Sequence, residues 1–218
     1  GEKLMVMRSS FDDRRRLNSL IVLNKNGNLL DIIIDFSNQR ILPIGWTGNS
    51  TLHYLLDDQL KTKNMNQSKN EWDLPLIFAI KNKLYEKVSD KGFQLLHEAQ
   101  DMILNLSYSS DATLIVFEVY GGETVVIQNR KLINTGIRNG NGPTVSPDGE
   151  KIVFMIIEDD GYQIQSGAIS YWDSKTGKIY PIIEDPNIVA MNPVWSNNNL
   201  IYYINFLDGS IQSAGLGN

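Results

Sequence analysis

The sequence predicts an all-β fold, a small β-propeller of about four to five four-stranded antiparallel blades. Three observations predict it. One short unit recurs four times: an apolar anchor, a Ser or Thr, a polar turn, then an alternating strand ending in Phe or Tyr. The anchors Trp46, Tyr108, Val145 and Trp195 fall 62, 37 and 50 residues apart, and propeller blades repeat at roughly 40–50 residues. Hairpin patterns follow the anchor units, so each unit and its hairpin supply four short strands, which is one blade.

Taken in chain order, residues 4–35 supply three strands without an anchor, with a hairpin pattern over 19–23 and 29–34 around the turn Asn24-Lys25-Asn26-Gly27. The first anchor copy runs from Trp46 to Tyr54. Residues 59–70 are polar, rich in Lys, Asn and Gln, and read as a long inserted loop that explains the 62-residue spacing. Residues 87–99 fit a short helix around Phe93-Gln94-Leu95-Leu96 and a strand equally well. The second copy, Tyr108 to Phe117, leads into a hairpin over 123–134 turning at Asn129-Arg130. The third is Val145-Ser146-Pro147-Asp148-Gly149-Glu150-Lys151-Ile152-Val153-Phe154. Its Pro147 fixes φ at the start of the turn, Asp148-Gly149 supplies positive φ at low cost, and Ser146 can bond a backbone amide of the same turn. Strands over 168–172 and 178–183 complete that blade, and the fourth copy runs from Trp195 to Tyr203.

Three blades therefore read as complete between about Ile41 and about Pro186, with partial blades over 1–40 and 187–218. Strands from both chain ends joining in one blade would remove an open sheet edge. Closure into five blades is the preferred expectation, with a fragment of a larger propeller as the alternative. The whole of 1–218 is expected to be a single domain.

Hydrophobic residues are 42% and charged residues 21% of the chain, a balance that supports a packed core. The net charge of −5 argues against nucleic acid as a partner. Arg14-Arg15-Arg16 directly follows Asp12-Asp13 and reads as a solvated loop. The absence of cysteine excludes disulfides, thiol nucleophiles and cysteine metal sites. No apolar run approaches the ~18 residues of a membrane helix, since the stretch 29–36 is interrupted by Asp31 and Asp35. The chain begins at Gly1 with neither an initiator Met nor the regions of a signal peptide, and Gly1 reads as a scar of tag removal.

The third copy, from Pro143 to Phe154, resembles the WD40-like (PD40) repeat of TolB-type β-propellers, which carries a proline, Ser-Pro-Asp-Gly and an apolar strand. Pro193-Val194-Trp195-Ser196 matches the Pro-x-Trp-Ser form of that repeat. Gly45-Trp46-Thr47-Gly48 and Leu106-Ser107-Tyr108-Ser109 depart from it. The resemblance implies a propeller and, through the periplasmic and surface propellers it brings together, a periplasmic or extracellular location, with a lipid anchor in the native form as one arrangement. It does not imply one function, because the family holds translocation-linked binding proteins, peptidase gating domains and lyases.

Few residues point to chemistry. His53 and His97 are the two histidines, too few for a multi-histidine metal centre, so carboxylates would have to supply any metal site. Asp57-Asp58 and Asp159-Asp160 follow strands, as Gly121-Gly122 does, and in a propeller such strand ends lie on one rim. Glu158-Asp159-Asp160-Gly161 offers oxygen ligands that suit calcium, but it lacks the Asp-x-Asp-x-Asp spacing of a dedicated loop and reads better as a polar turn. No Gly-x-Ser-x-Gly elbow or Gly-x-Gly-x-x-Gly loop occurs. Trp46 and Trp195 occupy anchor slots and read as core. Trp72, Trp172 and Tyr171 are the candidates for exposed aromatic contacts.

The reading favoured is a non-catalytic binding module that presents rim loops to a protein partner without a cofactor, using Trp72, Trp172, Tyr171, Asp57, Asp58, Asp159 and Asp160. A carbohydrate ligand is a further expectation. The alternative is a carbohydrate- or peptide-processing enzyme, or its gating propeller, with a carboxylate and cation site in the channel. An exposed apolar or aromatic patch on one rim would separate the two.

Overall fold

The computed structural model describes residues 3–12, 14–47, 51–65, 75–88, 92–196 and 199–216. Every regular element among them is a β-strand, and the strands form six antiparallel sheets of three or four strands each. The chain divides into two compact units, Gly1–Leu76 and Ile77–Asn218.

The first unit holds two sheets: β1 (Lys3–Asp12), β2 (Arg15–Asn24) and β3 (Leu29–Ser37), then β4 (Ile41–Thr47), β5 (Thr51–Leu56) and β6 (Gln59–Asn64). Leu20 and Val22 on the middle strand meet Ile41 and Leu52 in a shared core, with Trp46 packed against it as an anchor should be. Two expectations are corrected here. Gln59–Asn64 is not loop but β6, paired row by row with β5 from Leu56↔Gln59 to Thr51↔Asn64. It has no apolar period because it is an edge strand, and its Lys61 and Lys63 are charges of the kind that blunt an exposed edge; Lys63 also bridges Asp31 at 2.9 Å. Residues 66–70 of the expected loop lie outside the described residues. Arg15 and Arg16 likewise belong to β2, where Arg16 stands opposite Phe11 and donates to the Ser9 hydroxyl at 3.2 and 3.0 Å.

The second unit holds four sheets. They are β7 (Ile77–Ile80), β8 (Lys83–Lys87) and β9 (Phe93–Glu98); β10 (Ile103–Tyr108), β11 (Leu114–Val119), β12 (Glu123–Gln128) and β13 (Lys131–Ile133); β14 (Gly140–Val145), β15 (Lys151–Asp159), β16 (Ile164–Asp173) and β17 (Lys178–Ile183); and β18 (Ala190–Trp195), β19 (Leu200–Asn205) and β20 (Ile211–Gly215). Strand β9 resolves the open choice over 87–99, with Phe93 edge-on to Phe78 at 5.1 Å.

All of Leu114–Val119 is buried, which is what a strand covered on both faces requires. Ile115, Phe117 and Val119 pack with Ile77 and Leu84 of the sheet before and with Ile103 of their own sheet. Leu114 and Val116 face Ile152, Phe154 and Trp172 of the sheet after. Val153 and Ile169 face Ile201 and Tyr203 in turn. Sheets stacked face to face in sequence order are the blades of a small β-propeller, as the repeats predict. Six sheets stand where four or five blades were counted, because the stretch read as one blade with an insertion forms both β4–β6 and β7–β9.

The anchor turns carry a shared hydrogen-bond lock. Ser146 is buried; its hydroxyl donates to Asp148 at 2.5 Å and accepts the Lys151 amide at 2.9 Å, while Asp148 accepts the Glu150 amide at 3.0 Å. Ser109 repeats the pattern with Asp111 and the Leu114 amide, and Ser196 receives the Leu200 amide. Gly149, at φ +72, completes the third turn, and a Cβ placed there would meet Ser109 Cβ of the preceding sheet at 2.9 Å. Gly149→Ala is therefore expected to cost about 1–3 kcal/mol through left-handed strain plus the clash, measured by urea denaturation.

The same lock makes stability depend on acid. The Ser109 hydroxyl, then the Thr113 amide and hydroxyl, hold Asp111 at about 2, below the unfolded value of ~3.9. A depressed folded value gives stability that is complete above the unfolded pKa and is lost as pH falls through the folded one. Burial works to raise Asp148, but Ser146, the Glu150 amide and two lysines outweigh it and bring it low as well. The urea midpoint should therefore fall between about pH 4 and pH 2, and Asp111→Asn should flatten that fall.

Candidate functional site

The sheets of the second unit have two ends. At the anchor end, Tyr108, Ser110, Thr144, Pro147, Val194 and Trp195 line a cleft of about 450 Å³, and the Trp195 indole donates to the Thr144 carbonyl at 3.1 Å. An adjoining cleft of about 330 Å³ runs over Asn105, Gly142 and Asn192. Each of these has positive φ and lies in a bulge at the same place in β10, β14 and β18. Buried Glu118 serves this backbone: it accepts the Asn105 amide group at 2.6 Å and the Gly142 backbone N–H of the next sheet. Met155 takes the corresponding place one sheet on, its sulfur 3.3 Å from the Asn192 nitrogen. Both clefts are lined by uncharged side chains, which suit contact rather than proton transfer.

The opposite end is built from the middle hairpin of each sheet. A turn residue beside glycine has no sheet face on which to bury a ring. The turn after β11 exposes Tyr120 by 67%, the turn after β15 exposes Tyr162 by 96%, and the turn after β19 exposes Phe206 by 56% and Leu207 by 63%. Three successive sheets thus present large apolar side chains to solvent on one rim. Asp160 shapes its turn by accepting the Tyr162 and Gln163 amides at 2.9 and 2.8 Å, and these bonds, that of Gln163 first, hold its carboxyl below the usual range. Asp208 does the same with the Ser210 amide at 2.8 Å.

The expected site residues are divided between the two units. Asp159 and Asp160 lie on this rim, each bonded to its own turn. Asp57 and Asp58 lie in the first unit between β5 and β6 at φ 50 and 64. Asp57 accepts the Arg40 amide at 2.9 Å and Gln39 at 2.8 Å, the former chiefly lowering its pKa, while Asp58 meets the Arg40 guanidinium at 3.3 Å. Trp172 is a correction: it is 3% exposed. It lies in the strand expected there, but opposite Ile152 and with its ring inside the core beside Leu114 rather than in solvent. Tyr171 points to the other face and stacks on Tyr180 with ring centroids 5.1 Å apart. Trp72 lies outside the described residues. His53 is buried in the first unit, and His97 borders a cleft of about 230 Å³ with Glu98 and Glu123 in the second. Among the described residues no three His, Asp or Glu side chains group so as to hold a metal ion, and no helix is long and apolar enough to cross a membrane.

Comparison with solved structures places the chain among propellers. It is similar to the tricorn protease, with a TM-score of 0.54 at 12% identity, over 93% of this chain and 27% of that one. It is also similar to TolB from Acinetobacter baumannii, with a TM-score of 0.51 at 12% identity, over 99% of this chain and 64% of that one. The chain thus spans less than two thirds of either protein. At this identity the likeness shows the fold alone. No protein-family model matches the chain, and no curated protein sequence matches it.

Proposed function

We propose that this chain is a non-catalytic binding module that presents propeller-rim loops to a protein partner, in the periplasm or outside the cell. The observation that carries the reading is the row of exposed side chains Tyr120, Tyr162, Phe206 and Leu207 on successive turns of one rim. Aromatic anchors on a rigid scaffold are what protein interfaces use, and their exposure brings no benefit to the fold itself. The carboxylates that a catalytic reading would recruit are instead bonded to turn backbone, Asp57 to Arg40 and Asp160 to Tyr162 and Gln163. The TolB-like architecture supports the binding reading and its location.

The test is affinity capture from an envelope or secreted extract, comparing the immobilised chain with a Tyr120→Ser, Tyr162→Ser, Phe206→Ser variant. A saturable partner retained by the first and lost by the second is the expected result. A partner held equally by both would move the site off this rim, and none held by either would defeat the protein-binding reading.

A further inference from the structure

We propose that the aromatic rim of the second unit takes an extended segment of partner polypeptide rich in lysine and arginine; this rests on the protein-binding reading and names the class of partner. Charge is distributed unevenly between the two ends of these sheets. The rim end gathers Glu123, Asp159, Asp160, Glu184, Asp185 and Asp208, none of which pairs with a cation among the described residues. The bases of that end are Lys81, Lys83 and Arg138, and Lys83 is already held 3.6 Å from Glu98. At the anchor end the charges alternate and cancel instead, as in Lys175 with Glu150 at 2.6 Å and Lys151 with Asp148 at 3.9 Å.

The rim therefore carries a negative field around exposed aromatic faces, and a ring face attracts Lys and Arg by its quadrupole. Field and rings favour the same ligand. Backbone amides hold Asp160 and Asp208 in place and ionised, so the field is pre-set and needs no reorganisation on binding. Packed sheets lie about 10 Å apart, so the three tips span on the order of 20–30 Å. An extended chain of about 3.3 Å per residue crosses that span in roughly six to nine residues.

The experiment uses the full chain and a fluorescein-labelled nine-residue peptide of alternating Lys and Ala, with the matching Glu and Ala peptide as its counterpart, read by fluorescence anisotropy. The lysine peptide should bind saturably, weaken about tenfold between low and about 0.3 M salt, and weaken about threefold to fivefold with Tyr162→Ser. Asp159→Asn with Asp160→Asn should weaken it further, since Asn retains an acceptor for the turn while losing the charge. Unchanged melting temperature in these variants separates site from fold. Equal binding of the glutamate peptide, no binding of the lysine peptide, or indifference to all three substitutions would overturn the proposal. If the lysine peptide fails while an extract protein is still captured through Tyr120, Tyr162 and Phe206, the protein-binding reading stands and only the cationic class falls.

Discussion

Phe154→Ala should lower the stability of the second unit by about 3–5 kcal/mol, a fifth or more of what a domain of ordinary stability has to lose. Phe154 is 1% exposed and is among the largest fully buried side chains. It packs with Leu114, Val116, Ile152 and Trp172 in the seam between two sheets. Its ring edge also lies 3.0 Å from where a Cβ of Gly140 would stand, so glycine at 140 is part of the same fit. A side chain in a seam supports two sheets at once, and neither can collapse into the vacancy without breaking its ladder. Phe154→Leu keeps most of the volume and should cost less than half as much. Guanidinium denaturation followed by tryptophan fluorescence reads both, since Trp172 lines the same seam. Equal loss for Leu and Ala would show that shape rather than volume dominates.

Arg130→Ala is expected to cost about 2–3 kcal/mol by stranding a buried carboxylate. The Glu86 side chain is 7% exposed and its ion-pair partner Arg130 is 42% exposed. The guanidinium grips both carboxylate oxygens, through Nε at 2.9 Å and through Nη2, and its Nη1 donates to the Ala112 carbonyl at 2.8 Å. This ties β8 to the neighbouring sheet at the tight turn between β12 and β13. The figure lies below that for a fully buried pair because water reaches the arginine and screens it. Arg130 also sits at φ 64, so Arg130→Gly removes the pair while relieving the backbone and should cost less than Arg130→Ala. Replacing Glu86 and Arg130 together by Met should cost less than Arg130→Ala alone, because no charge is left stranded. Urea midpoints of the three variants check the order.

The repeats made the blade architecture legible because an anchor, a Ser and a turn must recur wherever a first strand hands over to a second. Ser109, Ser146 and Ser196 show why: one hydroxyl closes each turn. The blade count was less legible, because β6 is an edge strand whose Lys61 and Lys63 hide the alternation that marks a half-buried strand. Trp172 was misread for a related reason. Residues 168–172 read as strand from the start; closeness to the turn at Asp173 suggests an exposed ring, whereas alternation along β16 turns Trp172 into the core beside Leu114. The rim aromatics Tyr120, Tyr162 and Phe206 were not singled out from the sequence, although Tyr120 and Tyr162 each adjoin a turn glycine. What the sequence hides is that these turns fall at one end of successive sheets, which depends on the stacking.

The links between sheets in the second unit all join sequence neighbours: Gly149 seats on Ser109, Glu118 receives Gly142, and Met155 receives Asn192. Each closes a loop of only a few tens of residues, so the entropy of bringing its ends together stays small. A chain emerging from the ribosome can therefore dock each blade on the last before the next is made. The contacts thus permit assembly in the order of synthesis.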